Sequence, residues 1–154
     1  MKIGSSKLIE KDPFVLFDKW FKLASKQEIS DPNAISLSTS DSKGFPNVRI
    51  VLMKSFNKDG LIFFSNSKSK KGREIESNSK VAVCFHWKSL EKQVRLRGKI
   101  KKISNQESDN YFSSRDRNSK IGAWASAQSR KLIKRGDLEK SYNEVSLKYK
   151  DKEI

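Results

Sequence analysis

The sequence predicts one domain built mainly of β-strands, a small antiparallel barrel with helical additions. Its 154 residues are 35% hydrophobic and 33% charged, which is sufficient for one ordinary hydrophobic core. Five strand-like stretches follow one another between about residues 34 and 103, with helical patterns at about 13–26 and 105–150. No repeat or low-complexity linker marks a second domain, so a single domain over 1–154 is expected.

The first predicted element is a helix from about Pro13 to Lys26. Phe14, Phe17 and Phe21 recur at helical spacing, and the proline suits a first helical turn. Two hairpins then follow from alternating stretches and turn residues: AISLSTS, the turn DSKGFP, NVRIVLMKSF, the turn NKDG, and LIFFSN. They predict a three-stranded meander.

The later elements alternate in type. A short helix is predicted over SKKGREIESN, two strands over KVAVCFHW and QVRLRGKIKKI, and a helix from about Asn105 to Arg115. The tail from Lys131 to Lys150 has the pattern of a charged, amphipathic helix. The barrel would therefore carry most of its helical additions on the C-terminal side.

Composition argues against several classes of protein. No apolar run approaches the roughly 20 residues that span a bilayer, and the N-terminal stretch lacks the apolar centre of a signal peptide, so a cytoplasmic protein is expected. Cys84 and His86 are the only residues of their types, which excludes an intrachain disulfide and a clustered zinc site. We expect no metal, a core thiol at Cys84 and a structural role for His86.

The net charge of +15 makes a nucleic-acid-binding module an alternative. Only eight of the 33 basic residues are arginine, the residue that base readout and forked phosphate contacts favour. The lysines are spread from Lys2 to Lys152, and no nucleic-acid-binding motif is present. A lysine-rich, solvated surface accounts for most of the charge, and neither nucleic acid nor membrane is the expected partner.

The stretch VRIVLMKSF places a cation at each end of a predicted strand. Side chains alternate along a strand, so Arg49, Val51 and Met53 face one side while Ile50, Leu52 and Lys54 face the other. The two cations need not serve the same ligand. The alternative is that both reach from the strand ends into water.

The stretch SNSKSKKGRE places Lys70 and Lys71 in the first turn of a predicted helix. Cations there oppose the helix dipole by about 0.3–1 kcal/mol each unless an anion lies against the same turn. With Ser65, Ser67 and Ser69 nearby, the pattern indicates a phosphate site. The alternative is that the helix begins later and the lysines are solvated.

The stretch YFSSRDRNS spaces Tyr111, Arg115 and Ser119 at i, i+4 and i+8. A continuing helix would line up a phenol, a guanidinium and a hydroxyl, a donor set suited to one phosphate, although Asp116 could end the helix early. Beyond it, the small and apolar stretch IGAWASAQS suits packing against a planar ring or another subunit.

Taken together, these stretches resemble the pyridoxamine 5'-phosphate oxidases, also called pyridoxine 5'-phosphate oxidases. The motifs DPNAISLST, RIVLMK, FFSNSKSKKGREIE, LEKQVRLRGK and YFSSRDRNSKIGAWASAQS have that family's order and spacing, over roughly Pro13 to Lys150. The resemblance implies an FMN-binding split β-barrel, antiparallel, with FMN at the interface of a homodimer. It also implies oxidation of phosphorylated B6 vitamers to pyridoxal 5'-phosphate, with molecular oxygen accepting the electrons and leaving as hydrogen peroxide.

The resemblance also assigns site residues by position. It gives the FMN contacts to Arg49, Ile50, Val51, Leu52, Met53, Lys54, Phe64, Ser65, Lys70, Lys71, Gln93, Gln128 and Ser129. It gives the substrate phosphate to Lys54, Tyr111, Arg115 and Ser119. The two cations of VRIVLMKSF would then serve two phosphorylated ligands. No general base is evident among the matched residues, so the catalytic residues stay unassigned.

Some positions depart from the family pattern. Phe64 stands where tyrosine is usual, and Lys70 stands where arginine is usual, which exchanges a forked contact for a point charge. The N-terminal arm looks short, and the sequence stops at YKDKEI, before a family segment with a WGG turn and an R-x-H element. These differences lead us to expect impaired turnover, with a non-catalytic FMN-binding split barrel as the alternative.

Overall fold

The computed structural model describes residues 10–150 and 152–154. The stretch 1–9, for which the sequence argued against a signal peptide and indicated a short N-terminal arm, lies outside the described residues. Within the described residues the chain forms five helices and five strands, with a short 3-10 helix at Lys88–Leu90. The helices are α1 Pro13–Gln27, α2 Lys70–Ser77, α3 Asn105–Ser114, α4 Arg117–Ala125 and α5 Arg135–Lys148. The strands are β1 Ala34–Ser40, β2 Pro46–Asn57, β3 Gly60–Phe63, β4 Lys80–Trp87 and β5 Lys92–Lys99.

The strands form one sheet in the order β3-β2-β1-β4-β5. The pairs β1–β4 and β2–β3 are antiparallel, and the predicted meander of β1, β2 and β3 is confirmed. The sequence placed β1 and β4 correctly, and it placed the ends of α1 and α2 within one residue. The antiparallel sheet with helical additions therefore follows the prediction.

The described chain divides into two compact units. The first comprises residues 10–38, Val48–Phe63 and Ala82–Gly98, and the second comprises Thr39–Asn47, Phe64–Val81 and the chain from Lys99 onwards. The core of the first unit consists of Phe17, Ala24, Ile35, Met53, Phe85 and Trp87.

The core of the first unit is aromatic. The Phe17 ring from α1 meets those of Phe56 and Phe85 edge to face, at centroid distances of 4.8 and 5.1 Å. Such pairs add about 0.5–1.5 kcal/mol beyond the burial of their area. The indole N–H of Trp87 donates to the Pro32 carbonyl at 2.8 Å, so this buried polar group is satisfied. Of the apolar stripe predicted for α1, Phe17 and Phe21 thus pack in the core, whereas Phe14 is exposed.

β2 carries a β-bulge at Lys54. Met53 pairs with Phe63 and Ser55 pairs with Ile62, so Lys54 is an extra residue opposite β3. Lys54 and Ser55 are both exposed, whereas Met53 is buried and Phe56 packs against the same core. Strict alternation therefore holds along β2 only up to Lys54.

The second unit contains a break that the sequence pattern left open. α3 ends at Ser114, Arg115 has an extended backbone with φ −73° and ψ 151°, and α4 begins after its N-cap Asp116. The continuing helix through Tyr111, Arg115 and Ser119 is therefore wrong, and the alternative of an early end is right. The physical reason is Asp116, whose carboxylate accepts the Ser119 N–H at 2.9 Å and so starts a new helix.

Asp116 also makes the start of α4 sensitive to acid. Hydrogen bonds from the hydroxyl and the backbone N–H of Ser119 hold the pKa of the Asp116 carboxyl below its usual range. A lowered folded pKa means that this stabilisation is present above the unfolded pKa and is lost as the pH falls through the folded one. Between pH 7 and pH 3, the melting temperature of the parent chain should fall slightly more than that of Asp116→Asn, in which asparagine still caps the helix. Equal losses in the two chains would contradict this assignment.

Cys84 and His86 lie on β4. Cys84 is half-buried and its thiol lies 3.4 Å from the Phe85 carbonyl oxygen, while His86 is exposed. The thiol is thus less deeply buried than the sequence suggested. No helix among the described residues is long and apolar enough to cross a membrane.

Candidate functional site

A buried lysine at the start of α2 gathers polar side chains around it. Lys71 is 8% exposed, and its ammonium donates to Ser65 Oγ at 2.8 Å, Gln128 Oε1 at 2.8 Å and Ser69 Oγ at 3.2 Å. We call Ser65, Ser69, Lys71 and Gln128 the Lys71 cluster. Ser65, Lys71 and Gln128 were predicted as FMN contacts from two separate motifs, and the structure brings them together in the second unit.

The local sequence explains how the cluster forms. Ser69 is the N-cap of α2, and its hydroxyl accepts the Gly72 N–H at 3.3 Å and donates to the Asn66 carbonyl at 2.6 Å. The segment from Ser65 to Ser69 therefore folds back against the first turn of the helix. A Cβ at Gly72 would lie 2.0 Å from the Ser67 carbonyl oxygen, so this close approach depends on glycine. The sequence pattern included Ser69 in the predicted phosphate site, but it did not identify Ser69 as the N-cap of α2.

The Lys71 cluster has the chemistry of a phosphate site. It combines an ammonium, two hydroxyls and a side-chain amide at the N-terminal turn of an eight-residue helix. Helix N-termini favour anions, and a hydrogen bond from an ammonium to a phosphate is among the stronger protein contacts. A cation in this turn is unfavourable for the helix alone, but it becomes favourable once an anion is bound.

Lys70 points elsewhere. Its ammonium donates to Asn47 Oδ1 at 3.1 Å and lies 4.0 Å from Glu74 Oε1, and its side chain is 58% exposed. Glu74 itself is buried and accepts from Thr39 Oγ1 at 2.5 Å and from Asn47 Nδ2 at 2.8 Å. The two adjacent lysines thus have different partners. Sequence reasoning did not identify Glu74, although its position four residues after Lys70 could have indicated an ion pair on one helix face.

The predicted contacts on β2 and β5 belong to the first unit. Arg49 is half-buried and donates to the Leu37 carbonyl at 3.2 Å. Met53 is buried and Val51 packs against the core, so their side chains stabilise the sheet and leave only their backbone groups for a ligand. The remaining predicted residues, Ile50, Leu52, Lys54 and Gln93, are exposed.

Three of the four residues predicted for the substrate phosphate fall on two helices and the break between them, whereas Lys54 lies on β2. The Tyr111 ring, on α3, stacks on the Phe64 ring with a centroid distance of 3.5 Å and an angle of 9°. Arg115 is the C-cap residue of α3, and its guanidinium lies 6.0 Å from the centre of the Phe112 ring. Ser119 lies in the first turn of α4, bonded to Asp116.

Ser129 and Trp124 complete the predicted region. Ser129 is exposed and has φ +63°, the left-handed region that serine seldom adopts. Trp124, on α4, is 62% exposed. The backbone at Ser129 thus turns immediately after Gln128 has joined the Lys71 cluster.

Comparison with known sequences decides the family. The family profile described as pyridoxamine 5'-phosphate oxidase matches residues 21–149. The pyridoxine/pyridoxamine 5'-phosphate oxidase of Brucella canis is 54% identical over 138 residues, which is 90% of this chain and 68% of that protein. This chain belongs to the pyridoxamine 5'-phosphate oxidase family.

Solved structures with the same fold support the predicted architecture of this family member. PhzG from Burkholderia lata, crystallised in complex with tetrahydrophenazine-1-carboxylic acid, has a TM-score of 0.85 at 24% identity, over 94% of this chain and 72% of PhzG. A pyridoxamine 5'-phosphate oxidase-related, FMN-binding protein from Nostoc punctiforme has a TM-score of 0.66 at 15% identity, over 85% of this chain and 73% of that one. The prediction of an antiparallel split β-barrel with helical additions is confirmed.

Proposed function

We propose that this chain binds FMN and oxidises pyridoxamine 5'-phosphate or pyridoxine 5'-phosphate to pyridoxal 5'-phosphate in the cytoplasm, with oxygen as the electron acceptor. The observation that carries the proposal is the Lys71 cluster, in which residues from two distant motifs meet around one buried cation. The 54% identity to the Brucella canis oxidase supports the choice of reaction.

The donors of the Lys71 cluster fit the phosphate of FMN. Lys71 would supply the charge, and the hydroxyls of Ser65 and Ser69 and the Gln128 amide would supply further hydrogen bonds. We assign the remaining contacts to the other predicted positions, which are Arg49, Ile50, Val51, Leu52, Met53, Lys54, Phe64, Lys70, Gln93 and Ser129. When bound, FMN would supply the acceptor for the two electrons that leave the substrate.

The protein's own contribution to the reaction would be positioning. Tyr111, Arg115 and Ser119, together with Lys54, would hold the phosphate of the B6 vitamer. A substrate fixed at its phosphate reacts as part of one complex, which removes much of the entropic barrier to the chemical step. We assign no general base, because none of the matched residues is a carboxylate or a histidine.

We also propose that the chain acts as a homodimer with FMN at the subunit interface. Val48 and Ile50 on β2, and Trp124 on α4, expose large apolar surfaces that a twofold interface would bury twice. Sedimentation of the FMN-loaded protein at micromolar concentration should give a dimer. A monomer with FMN bound would contradict this proposal.

One experiment tests the function. The purified chain should show the absorbance of bound FMN, and adding pyridoxine 5'-phosphate under air should release hydrogen peroxide and pyridoxal 5'-phosphate in equal amounts. Unphosphorylated pyridoxine is the matched control, since it lacks the group that Arg115 and its neighbours would bind. Bound FMN without turnover would favour a non-catalytic FMN-binding protein, and a chain that takes up no FMN would contradict the proposal.

A further inference from the structure

The stacked pair of Phe64 and Tyr111 joins two parts of the proposed site. Phe64 directly follows β3, Tyr111 lies on α3, and their rings are parallel within 9° at a centroid distance of 3.5 Å. Both residues belong to the second unit and both are half-buried. Phe64 was assigned to the cofactor and Tyr111 to the substrate phosphate, so the stack connects residues with different ligands.

The geometry of the stack limits the Tyr111 side chain. Aromatic pairs generally prefer an offset or edge-to-face arrangement, so a full-face overlap is set by the chain on either side more than by attraction between the rings. With one face against Phe64, the Tyr111 ring cannot swing toward that side. Its phenol oxygen is therefore restricted before any ligand arrives.

The residue after Phe64 fixes the same piece of backbone to the Lys71 cluster. The hydroxyl of Ser65 accepts from the Lys71 ammonium at 2.8 Å and lies 3.4 Å from Gln128 Oε1. Ser65 thus contacts the proposed FMN-phosphate site, and the residue before it, Phe64, contacts Tyr111 of the proposed substrate-phosphate site.

We propose that Phe64 is a positioning residue, which holds the Tyr111 phenol in the orientation that binds the substrate phosphate. This inference rests on the proposed function. A side chain that must be ordered on binding weakens affinity by about two- to tenfold, and Phe64 would remove that loss for Tyr111. The stack needs a flat ring at position 64 and no hydroxyl, so phenylalanine serves as well as the tyrosine that is usual in the resembling sequences.

A double-mutant cycle on the FMN-loaded, 154-residue chain tests this inference. The chains are the parent, Phe64→Leu, Tyr111→Phe and the double variant, and the measurement is the affinity for pyridoxal 5'-phosphate. Tyr111→Phe keeps the ring and removes only the hydroxyl that Phe64 would orient. We expect Phe64→Leu to weaken binding by about two- to tenfold in the parent and to have no further effect when Tyr111 is phenylalanine.

Two further variants separate positioning from general loss of structure. Phe64→Tyr keeps a flat ring and should retain the parent affinity for pyridoxal 5'-phosphate, whereas a residue with a merely apolar role would tolerate leucine equally well. Phe45→Leu, at a residue 67% exposed in the turn before β2, is the matched control for the substitution itself. If Phe64→Leu fails to fold, Phe64→Met replaces it in the cycle.

The outcomes are distinct. Equal affinity in the parent and Phe64→Leu, or effects that add in the double variant, would overturn the positioning role while leaving the proposed function standing. A parent chain that binds FMN but not pyridoxal 5'-phosphate would overturn the substrate assignment itself, and the inference with it.

Discussion

Replacing Lys71 by methionine should weaken FMN binding by about ten- to a hundredfold. A hydrogen bond from a charged donor contributes about 1.5–3 kcal/mol, and methionine keeps the apolar stem in its buried place while removing the ammonium. The substitution also leaves Ser65 and Gln128 without their shared donor. Quenching of FMN fluorescence on titration with the apoprotein measures the change.

Lys70→Met is the matched control for this prediction. It removes the same charge from the adjacent residue, but Lys70 is directed at Asn47 and Glu74 and is largely exposed. We expect a loss several-fold smaller than for Lys71→Met. Equal losses would show that FMN binding depends on the summed charge of the turn, and unchanged affinity in Lys71→Met would show that the phosphate binds elsewhere.

Arg115→Ala should keep FMN and lose affinity for pyridoxal 5'-phosphate by about tenfold or more. A guanidinium makes a forked, charge-assisted contact with a phosphate, and removing one such contact costs about 1.5–3 kcal/mol. The residue lies between α3 and α4, apart in sequence from every predicted FMN contact except Gln128 and Ser129. Absorbance titration with the product, on protein that is visibly yellow, separates the two affinities.

Arg117→Ala is the control for Arg115→Ala. The Arg117 guanidinium is exposed and donates to the backbone carbonyls of Tyr149, Lys150 and Lys152. The variant therefore removes an equal charge two residues along the chain from Arg115, at a side chain with other partners. We expect product affinity to stay within about twofold in this variant. Parent-like affinity in Arg115→Ala, or equal losses in both variants, would remove Arg115 from the substrate site.

The order of elements could be predicted because it depends on local signals. Pro13 starts α1, turn residues separate β1, β2 and β3, and Ser69 precedes the lysines of α2. The break at Asp116 had an equally local signal, an Asx residue that caps a helix. The sequence therefore offered both a break and a continuing helix, and the spacing of Tyr111, Arg115 and Ser119 alone could not decide between them.

The contacts within the candidate site could not be predicted from patterns. Nothing in SKKGRE says that Lys71 contacts Gln128 while Lys70 contacts Asn47, since each partner lies far away in the chain. Glu74 is similar: its carboxylate is buried because Thr39 and Asn47 satisfy it. The family resemblance supplied residue identities, but the choice between two adjacent lysines needed coordinates.

Changes at Lys54, the extra residue in β2, affect the core and the proposed site differently. Met53 and Phe56 both pack against the core although three positions separate them, an odd interval that only the inserted residue makes possible in a strand. Deleting Lys54 would bring Met53 and Phe56 to the two-residue interval of a regular strand, so both would stay on the core face and only the bulge would be lost. Exchanging the Lys54 side chain for almost any other would likewise leave the core intact. The two changes differ only at the strand edge: a substitution alters what Lys54 binds, whereas a deletion also restores regular pairing opposite β3.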